Sequence, residues 1–127
     1  MSKTSFHLLR VGLGITFVWI GVLIFRDPEV WGSLLLPWAA NLLFIPLRTA
    51  MIETAVLDII IGFLLLVDAW TWLAALLASL HLLIVLITTG ISEITVRDVG
   101  LIAAALGLTL DALPAAWRKK LLPGEGM

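Results

Sequence analysis

The stretch ETAVLDIIIGFLLLVDAWTWLAALLASLHLLIVLI, residues 53–87, decides the fold. Two apolar runs flank the short link DAWT at 68–71. With the residues beside them, each run reaches the roughly 20 residues that a helix needs to cross a bilayer. A link of so few residues joins antiparallel helices. The stretch therefore predicts an antiparallel pair of membrane helices, over 50–68 and 71–91.

The composition of the whole chain also favours a membrane protein. Of the 127 residues, 61% are hydrophobic and 13% are charged, whereas a soluble domain is about half apolar and about a quarter charged. Because so few polar residues cannot cover the surface, we expect lipid to surround it. The length predicts one domain, 1–127. The net charge of −1 gives no reason to expect a nucleic acid partner, and the absence of cysteine excludes disulfides and cysteine-based metal sites.

Two further apolar runs, at 6–25 and 96–115, complete a set of four predicted spans. The first run lacks a clear cleavage site of small residues, so we interpret it as a retained membrane helix rather than a secretory signal. The predicted fold class is an all-α integral membrane protein, a four-transmembrane-helix bundle.

The segment 28–46 lies between the first two spans and is interrupted by Pro37. Proline inside a helix removes a hydrogen bond. Asp27-Pro28-Glu29 resembles a helix start, with a cap, a first-turn proline and an acid. We predict two short helices broken at Pro37, forming an interfacial or re-entrant segment.

The basic residues predict the orientation of the bundle. With four spans both termini lie on one side, which also holds Lys3, Arg10, Arg118, Lys119 and Lys120, while the other side holds Arg26, Arg48 and Arg97. Because cytoplasmic loops are richer in lysine and arginine, we expect a multi-pass protein of the cytoplasmic membrane with both termini in the cytoplasm.

Ionisable groups inside the spans are the candidate functional residues, because charges in hydrocarbon face the bundle interior and pair with each other. Their positions along the helices give an outer cluster of Glu53, Arg97 and Asp98, a central pair of Asp58 and His81, and an inner pair of Arg10 and Asp111. A stripe of small residues on the fourth span, Gly100, Ala104 and Gly107, predicts that this side faces protein.

Each candidate has a plainer interpretation beside the functional one. Asp58 and His81 are expected to exchange a proton near neutral pH, although His81 alternatively donates to a backbone carbonyl. Asp98 with Thr95 matches a helix-capping pattern. Arg97 either turns toward Glu53 or extends to the outer surface.

The remaining candidates are Trp19, Arg10 and Asp111. Trp19 is a candidate for stacking on a quinone ring, and otherwise packs against a neighbouring helix. Arg10 with Asp111 is interpreted as a structural ion pair. No metal site is expected, since the central pair lacks a third ligand at a suitable spacing.

Several short motifs resemble those of the DoxX-like family of membrane proteins. They are an arginine followed by glycines in the first span (Arg10), a glutamate opening the second (Glu53), and Arg-Asp-x-Gly-Leu opening the fourth (Arg97, Asp98). Many members carry a lysine soon after the first-helix glycine, where this chain has Ile24 and Arg26 instead. The resemblance implies a four-helix subunit related to the membrane subunits of thiosulfate:quinone oxidoreductase.

Three functions follow as hypotheses. The first is a redox-associated membrane subunit that handles a quinone, without a haem or flavin motif of its own, within a homodimer or a larger membrane redox complex. The second is a carrier of a small solute or anion that uses Arg97. The third is a purely structural helical subunit of a larger membrane complex.

Overall fold

The structure is a computed structural model that describes residues 1–124. Helices account for most of this range, and no strand occurs within it. In chain order the helices are α1 Lys3–Arg26, α2 Pro28–Gly32, α3 Pro37–Asn41, α4 Leu47–Leu66, α5 Thr71–Thr89, α6 Arg97–Ala112 and α7 Ala115–Leu121. The predicted all-α class is confirmed.

Three helices, α1, α4 and α5, are long and apolar enough to cross a membrane. They match the predicted spans at 6–25, 50–68 and 71–91 to within a few residues. Helix α6 has 16 residues and is therefore about 24 Å long. It provides a fourth span only if it is counted together with α7, from which it is bent by 117°.

The predicted fourth helix is too long, because α6 ends at Ala112 rather than at 115. Pro114 follows Leu113, and a residue before proline is held in an extended conformation. Leu113 has φ −56° and ψ 144°, so the helix stops there and the chain turns into α7.

Helices α1 and α4 form a close antiparallel pair at three glycines. A Cβ added at Gly62 would come within 2.7 Å of the Gly14 carbonyl oxygen and the Val18 backbone nitrogen. A Cβ at Gly21 would come within 2.8 Å of the Ala55 carbonyl oxygen. Small residues at such contacts let helix backbones approach closely, so these glycines set the spacing of the pair.

Helices α5 and α6 meet through alanines and leucines. Ala74, Ala75 and Ala78 of α5 belong to the same buried core as Ala105 and Leu108 of α6, to which α1 and α4 contribute Leu13, Phe17, Ile61 and Leu65. The small-residue stripe predicted on α6 is only partly in contact with protein: Ala104 packs against the core, whereas an added Cβ at Gly100 or Gly107 would meet no atom within 4 Å. The buried side is that of Ala105, Leu108 and Thr109.

The bundle has two ends, which we name by the elements found there. The basal end holds the start of α1, the α4–α5 turn and the end of α6; there the Met1 amine lies 3.4 Å from Asp111 Oδ1. The distal end holds α2, α3, the start of α4, the end of α5 and the start of α6. The Leu36 amide donates to the Thr88 carbonyl across this end, at 2.8 Å.

The two short helices predicted around Pro37 are confirmed as α2 and α3. Pro37 begins α3, where a proline replaces an amide that has no helical partner. An ion pair between Glu29 and Arg48, at 2.5 Å, ties α2 to α4. Its hydrogen bond from Arg48 lowers the pKa of the exposed Glu29 carboxyl below the ordinary value.

Candidate functional site

A cavity of about 800 Å³ lies between α1, α4, α5 and the start of α6, with part of its wall formed by α2 and the connection that follows it. This volume falls in the range of about 300–1,000 Å³ that is typical of small-molecule sites. Most of the lining is apolar. The polar side chains in the lining are those of Thr16, Thr54, Asp58, His81, Thr88, Thr89, Thr95, Arg97 and Asp98.

Asp58 and His81 meet at the wall of this cavity. Asp58 is only 3% exposed, and its Oδ1 lies 2.9 Å from His81 Nε2. The predicted proximity of the two side chains is therefore observed. Helical spacing explains it, because Asp58 shares a face of α4 with Thr54 and Gly62, and His81 shares a face of α5 with Ala74 and Ala78.

The contact between Asp58 and His81 is close but poorly aligned for a hydrogen bond. Oδ1 of Asp58 is buried and has no hydrogen-bond partner among residues 1–124, despite the 2.9 Å distance to the ring nitrogen. We describe the pair as a close polar contact, since electrostatic attraction depends weakly on angle whereas a hydrogen bond weakens steeply when bent. A buried oxygen without a hydrogen-bond partner is unusual in a folded protein.

Arg97 and Asp98 line the same cavity from the first turn of α6. Asp98 is half-buried and interacts electrostatically with Arg97, Asp58 and His81. Arg97 is exposed, and its Nε donates to the Ile94 carbonyl at 3.4 Å. The cavity thus combines the central pair with two members of the predicted outer cluster.

The capping pattern predicted for Thr95 and Asp98 is wrong, because α6 begins without a side-chain cap. The Thr95 hydroxyl instead accepts from the Ser92 amide at 2.8 Å and donates to the Gly90 carbonyl at 2.5 Å. Both bonds close the turn between α5 and α6. Asp98 therefore faces the cavity without an amide partner at the helix start.

Glu53 does not join the candidate site. Its side chain is exposed and does not line the cavity. Among residues 1–124 no ion pair involves Glu53, so the predicted contact with Arg97 is wrong. The reason is rotational: five residues separate Glu53 from Asp58, and at about 100° per residue the two cannot share a helix face.

Trp19 also points away from the cavity. It is 67% exposed and does not line the cavity, so the structure does not bring it to a molecule held between the helices, and the stacking role stays a prediction. The buried face of α1 carries Phe17, Gly21 and Ile24 instead. The tryptophan in the cavity wall is Trp31 of α2.

The predicted ion pair between Arg10 and Asp111 is not formed. The Arg10 guanidinium donates to the carbonyls of Leu65 and Leu66 at 2.6 and 2.9 Å, and its Nε lies 3.8 Å from Asp68 Oδ1. These carbonyls belong to the last turn of α4, the negative end of the helix dipole, which attracts a cation. Arg10 therefore caps α4 from the neighbouring helix.

Asp111 has other partners at the basal end. Its carboxylate lies 3.4 Å from the Met1 amine, and its backbone carbonyl accepts from Arg118 of α7. The terminal amine is a cation of the backbone, so a comparison of charged side chains does not include it. That comparison therefore predicts Arg10 as the partner of Asp111.

Replacing Arg10 by methionine should lower the free energy of unfolding by about 2 kcal/mol, because the carbonyls of Leu65 and Leu66 lose a charged donor. The matched control is Arg26→Met, since Arg26 is exposed and makes no side-chain hydrogen bond or ion pair in the range 1–124. Unfolding in mixed detergent micelles measures both. Equal losses in the two variants would contradict the capping role.

The comparisons with known proteins give no match: no family model, curated protein or solved structure is detectably similar to the chain. Within residues 1–124 no group of three or more histidine, aspartate or glutamate side chains is arranged to hold a metal ion. A proposal for the function of the protein therefore rests on the cavity and its side chains.

Proposed function

We propose that the chain is an integral membrane protein that binds a small amphipathic molecule of the quinone class in the cavity between its helices. The observation that carries the proposal is an apolar cavity of about 800 Å³ with Asp58 and His81 in its wall. A quinone needs an apolar space for its ring and tail and a polar group near its oxygens. The unpartnered Oδ1 of Asp58 is such a group, because it can accept a hydrogen bond from a hydroxyl of the reduced form.

The protein residues would contribute binding and proton handling. A bound quinone supplies a two-electron, two-proton couple. Phe17, Leu82 and Leu101 in the cavity wall would exclude water from the ring. Asp58 and His81, 2.9 Å apart, would hold a proton between them and exchange it with the molecule bound in the cavity. The electrons would come from a partner, in a larger membrane redox complex or a homodimer.

In this proposal the bundle crosses the cytoplasmic membrane four times, with the α6–α7 pair as the fourth crossing and both termini in the cytoplasm. The segment containing α2 and α3 lies in the outer interface. The basic residues of α7, Arg118, Lys119 and Lys120, support a cytoplasmic basal end. The DoxX-like motifs support the same arrangement and suggest a subunit role.

The position of Trp31 provides a test of quinone binding. A short-tailed quinone added to the protein in lipid nanodiscs should produce saturable quenching of tryptophan fluorescence. In Trp31→Phe that saturable component should disappear, because Trp31 lines the cavity. Trp19→Phe is the matched control and should retain it, since Trp19 is 67% exposed on the outside of α1.

Quenching that rises in proportion to quinone in the lipid, equally in wild type and Trp31→Phe, would count against the proposal. That result would mean that the quinone dissolves in the bilayer without entering the cavity.

A second candidate function is a carrier for a small anion, supported by the exposed Arg97 guanidinium in the cavity lining. Liposome flux distinguishes the two functions. A carrier should show anion uptake that falls in Arg97→Gln, whereas a quinone-binding subunit should show no flux in either protein.

A further inference from the structure

The threonines in the cavity wall share a hydrogen-bonding pattern. Each of them donates its only hydroxyl proton to a backbone carbonyl of its own or an adjacent turn. The bonds are Thr16 to Gly12 at 2.8 Å, Thr54 to Ala50 at 3.0 Å, Thr88 to Ile84 at 2.8 Å, Thr89 to Val85 at 2.6 Å and Thr95 to Gly90 at 2.5 Å. A hydroxyl whose proton is engaged in this way offers only oxygen lone pairs to a ligand.

The ionisable groups at the same wall add further acceptors. Asp58 presents a buried Oδ1 without a hydrogen-bond partner in the described chain, and Asp98 presents a second carboxylate. His81 Nε2 lies 2.9 Å from Asp58 Oδ1, so this ring nitrogen is directed at the carboxyl group rather than at the open part of the cavity. The side chains of this region therefore accept hydrogen bonds but hardly donate them.

Donors in the lining belong to the distal end. They are the Arg97 guanidinium at the start of α6 and the Trp31 indole on α2. Arg97 lies beside Asp98, so its charge is offset by a neighbouring carboxylate. An acceptor group on a ligand would find few partners beside Asp58, and a buried polar group without a partner weakens binding.

From this imbalance we infer that the cavity selects a ligand whose head group is a hydrogen-bond donor, a hydroxyl or an amine on an apolar body. This inference rests on the proposed function and makes it specific: among quinone-class molecules the cavity takes the reduced, dihydroxy form. An oxidised quinone, which has carbonyl oxygens in place of hydroxyls, still enters the cavity but binds less tightly.

A matched set of aromatic probes tests the inference. Para-nonylphenol donates a hydrogen bond, its methyl ether para-nonylanisole does not, and para-nonylbenzylamine carries a cationic donor on the same tail. Binding to the full chain in nanodiscs is measured as the saturable change in Trp31 fluorescence at matched mole fractions in the lipid. The phenol should bind about tenfold or more tightly than its ether, as expected for a hydrogen bond to a carboxylate.

The amine distinguishes the two kinds of donor. Tighter binding of the amine than of the phenol identifies an ammonium-bearing ligand. Tighter binding of the phenol identifies a ligand with a hydroxyl group. Either result supports a donor head group. Equal binding of phenol and ether overturns the inference while leaving cavity binding intact. No saturable binding of any probe overturns the inference and the proposed function together.

Two substitutions locate the acceptors. Asp58→Asn should reduce the preference for phenol over ether, and Thr54→Val should reduce it without removing an ionisable group. Thr109→Val is the matched control, because the Thr109 hydroxyl is buried and donates to the Ala105 carbonyl at 2.7 Å but does not line the cavity. An unchanged preference in both cavity variants, with both folded, would overturn the assignment.

Discussion

Replacing Gly62 by alanine should lower the free energy of unfolding by about 1–3 kcal/mol, the range found for overpacked interiors. The added methyl would lie 2.7 Å from the Gly14 carbonyl oxygen and from the Val18 amide nitrogen. Both atoms belong to the α1 backbone, so no side-chain rotation relieves the clash. The two helices have to separate, which loosens the whole α1–α4 contact.

Gly107→Ala is the matched control for this substitution. Gly107 also lies within a helix, but an added Cβ there would meet nothing within 4 Å. Alanine favours a helix over glycine by up to about 1 kcal/mol, so this variant should be as stable as wild type or slightly more so. If Gly62→Ala and Gly107→Ala unfold at the same detergent composition, the close packing of α1 on α4 is incorrect.

Replacing His81 by leucine should have the largest effect on stability, a loss of about 3–5 kcal/mol. Asp58 is 3% exposed, and the ring of His81 is its only ion-pair partner in the range 1–124. Without that ring the buried carboxyl group loses this partner. Unfolding of the variant in mixed micelles measures the loss.

A double substitution separates the charge effect from packing. Asp58→Leu combined with His81→Leu removes both polar groups, and buried pairs replaced by apolar residues often leave stability unchanged or higher. The double variant should therefore recover most of the stability lost in His81→Leu, and it should lose most of the preference for the phenol probe over its ether. Additive losses in the two single variants would mean that the side chains act independently.

The sequence predicts the helices well because their signals are local. Apolar runs fix α1, α4 and α5, and Pro37 marks the start of α3. Pro114 marks the end of α6, because it restricts the backbone of Leu113. The apolar run continues past Pro114 and therefore predicts a helix that is too long. The meeting of Asp58 and His81 was predictable from depth and helix face together.

Other parts of the site depend on partners that side-chain patterns do not reveal. Arg10 binds backbone carbonyls of α4, and a search for opposite charges at the same depth cannot identify a backbone partner. The cavity lies between α1, α4, α5, α6 and α2. Its position and size depend on the angles at which these helices pack, and no single residue in the sequence predicts them. Helix face alone places Glu53 away from Asp58, whereas charge complementarity favours a contact between Glu53 and Arg97 that residues 1–124 do not form.

The contact between Asp58 and His81 in the cavity wall is the central claim, and solid-state NMR of the protein in lipid measures it directly. The chain has two histidines, so His7→Gln leaves His81 as the single labelled imidazole beside carboxyl-labelled aspartates. With Nε2 lying 2.9 Å from Oδ1, the ring nitrogen should show strong dipolar coupling to a carboxyl carbon, and Asp58→Asn should remove it. An imidazole without such coupling would contradict the account.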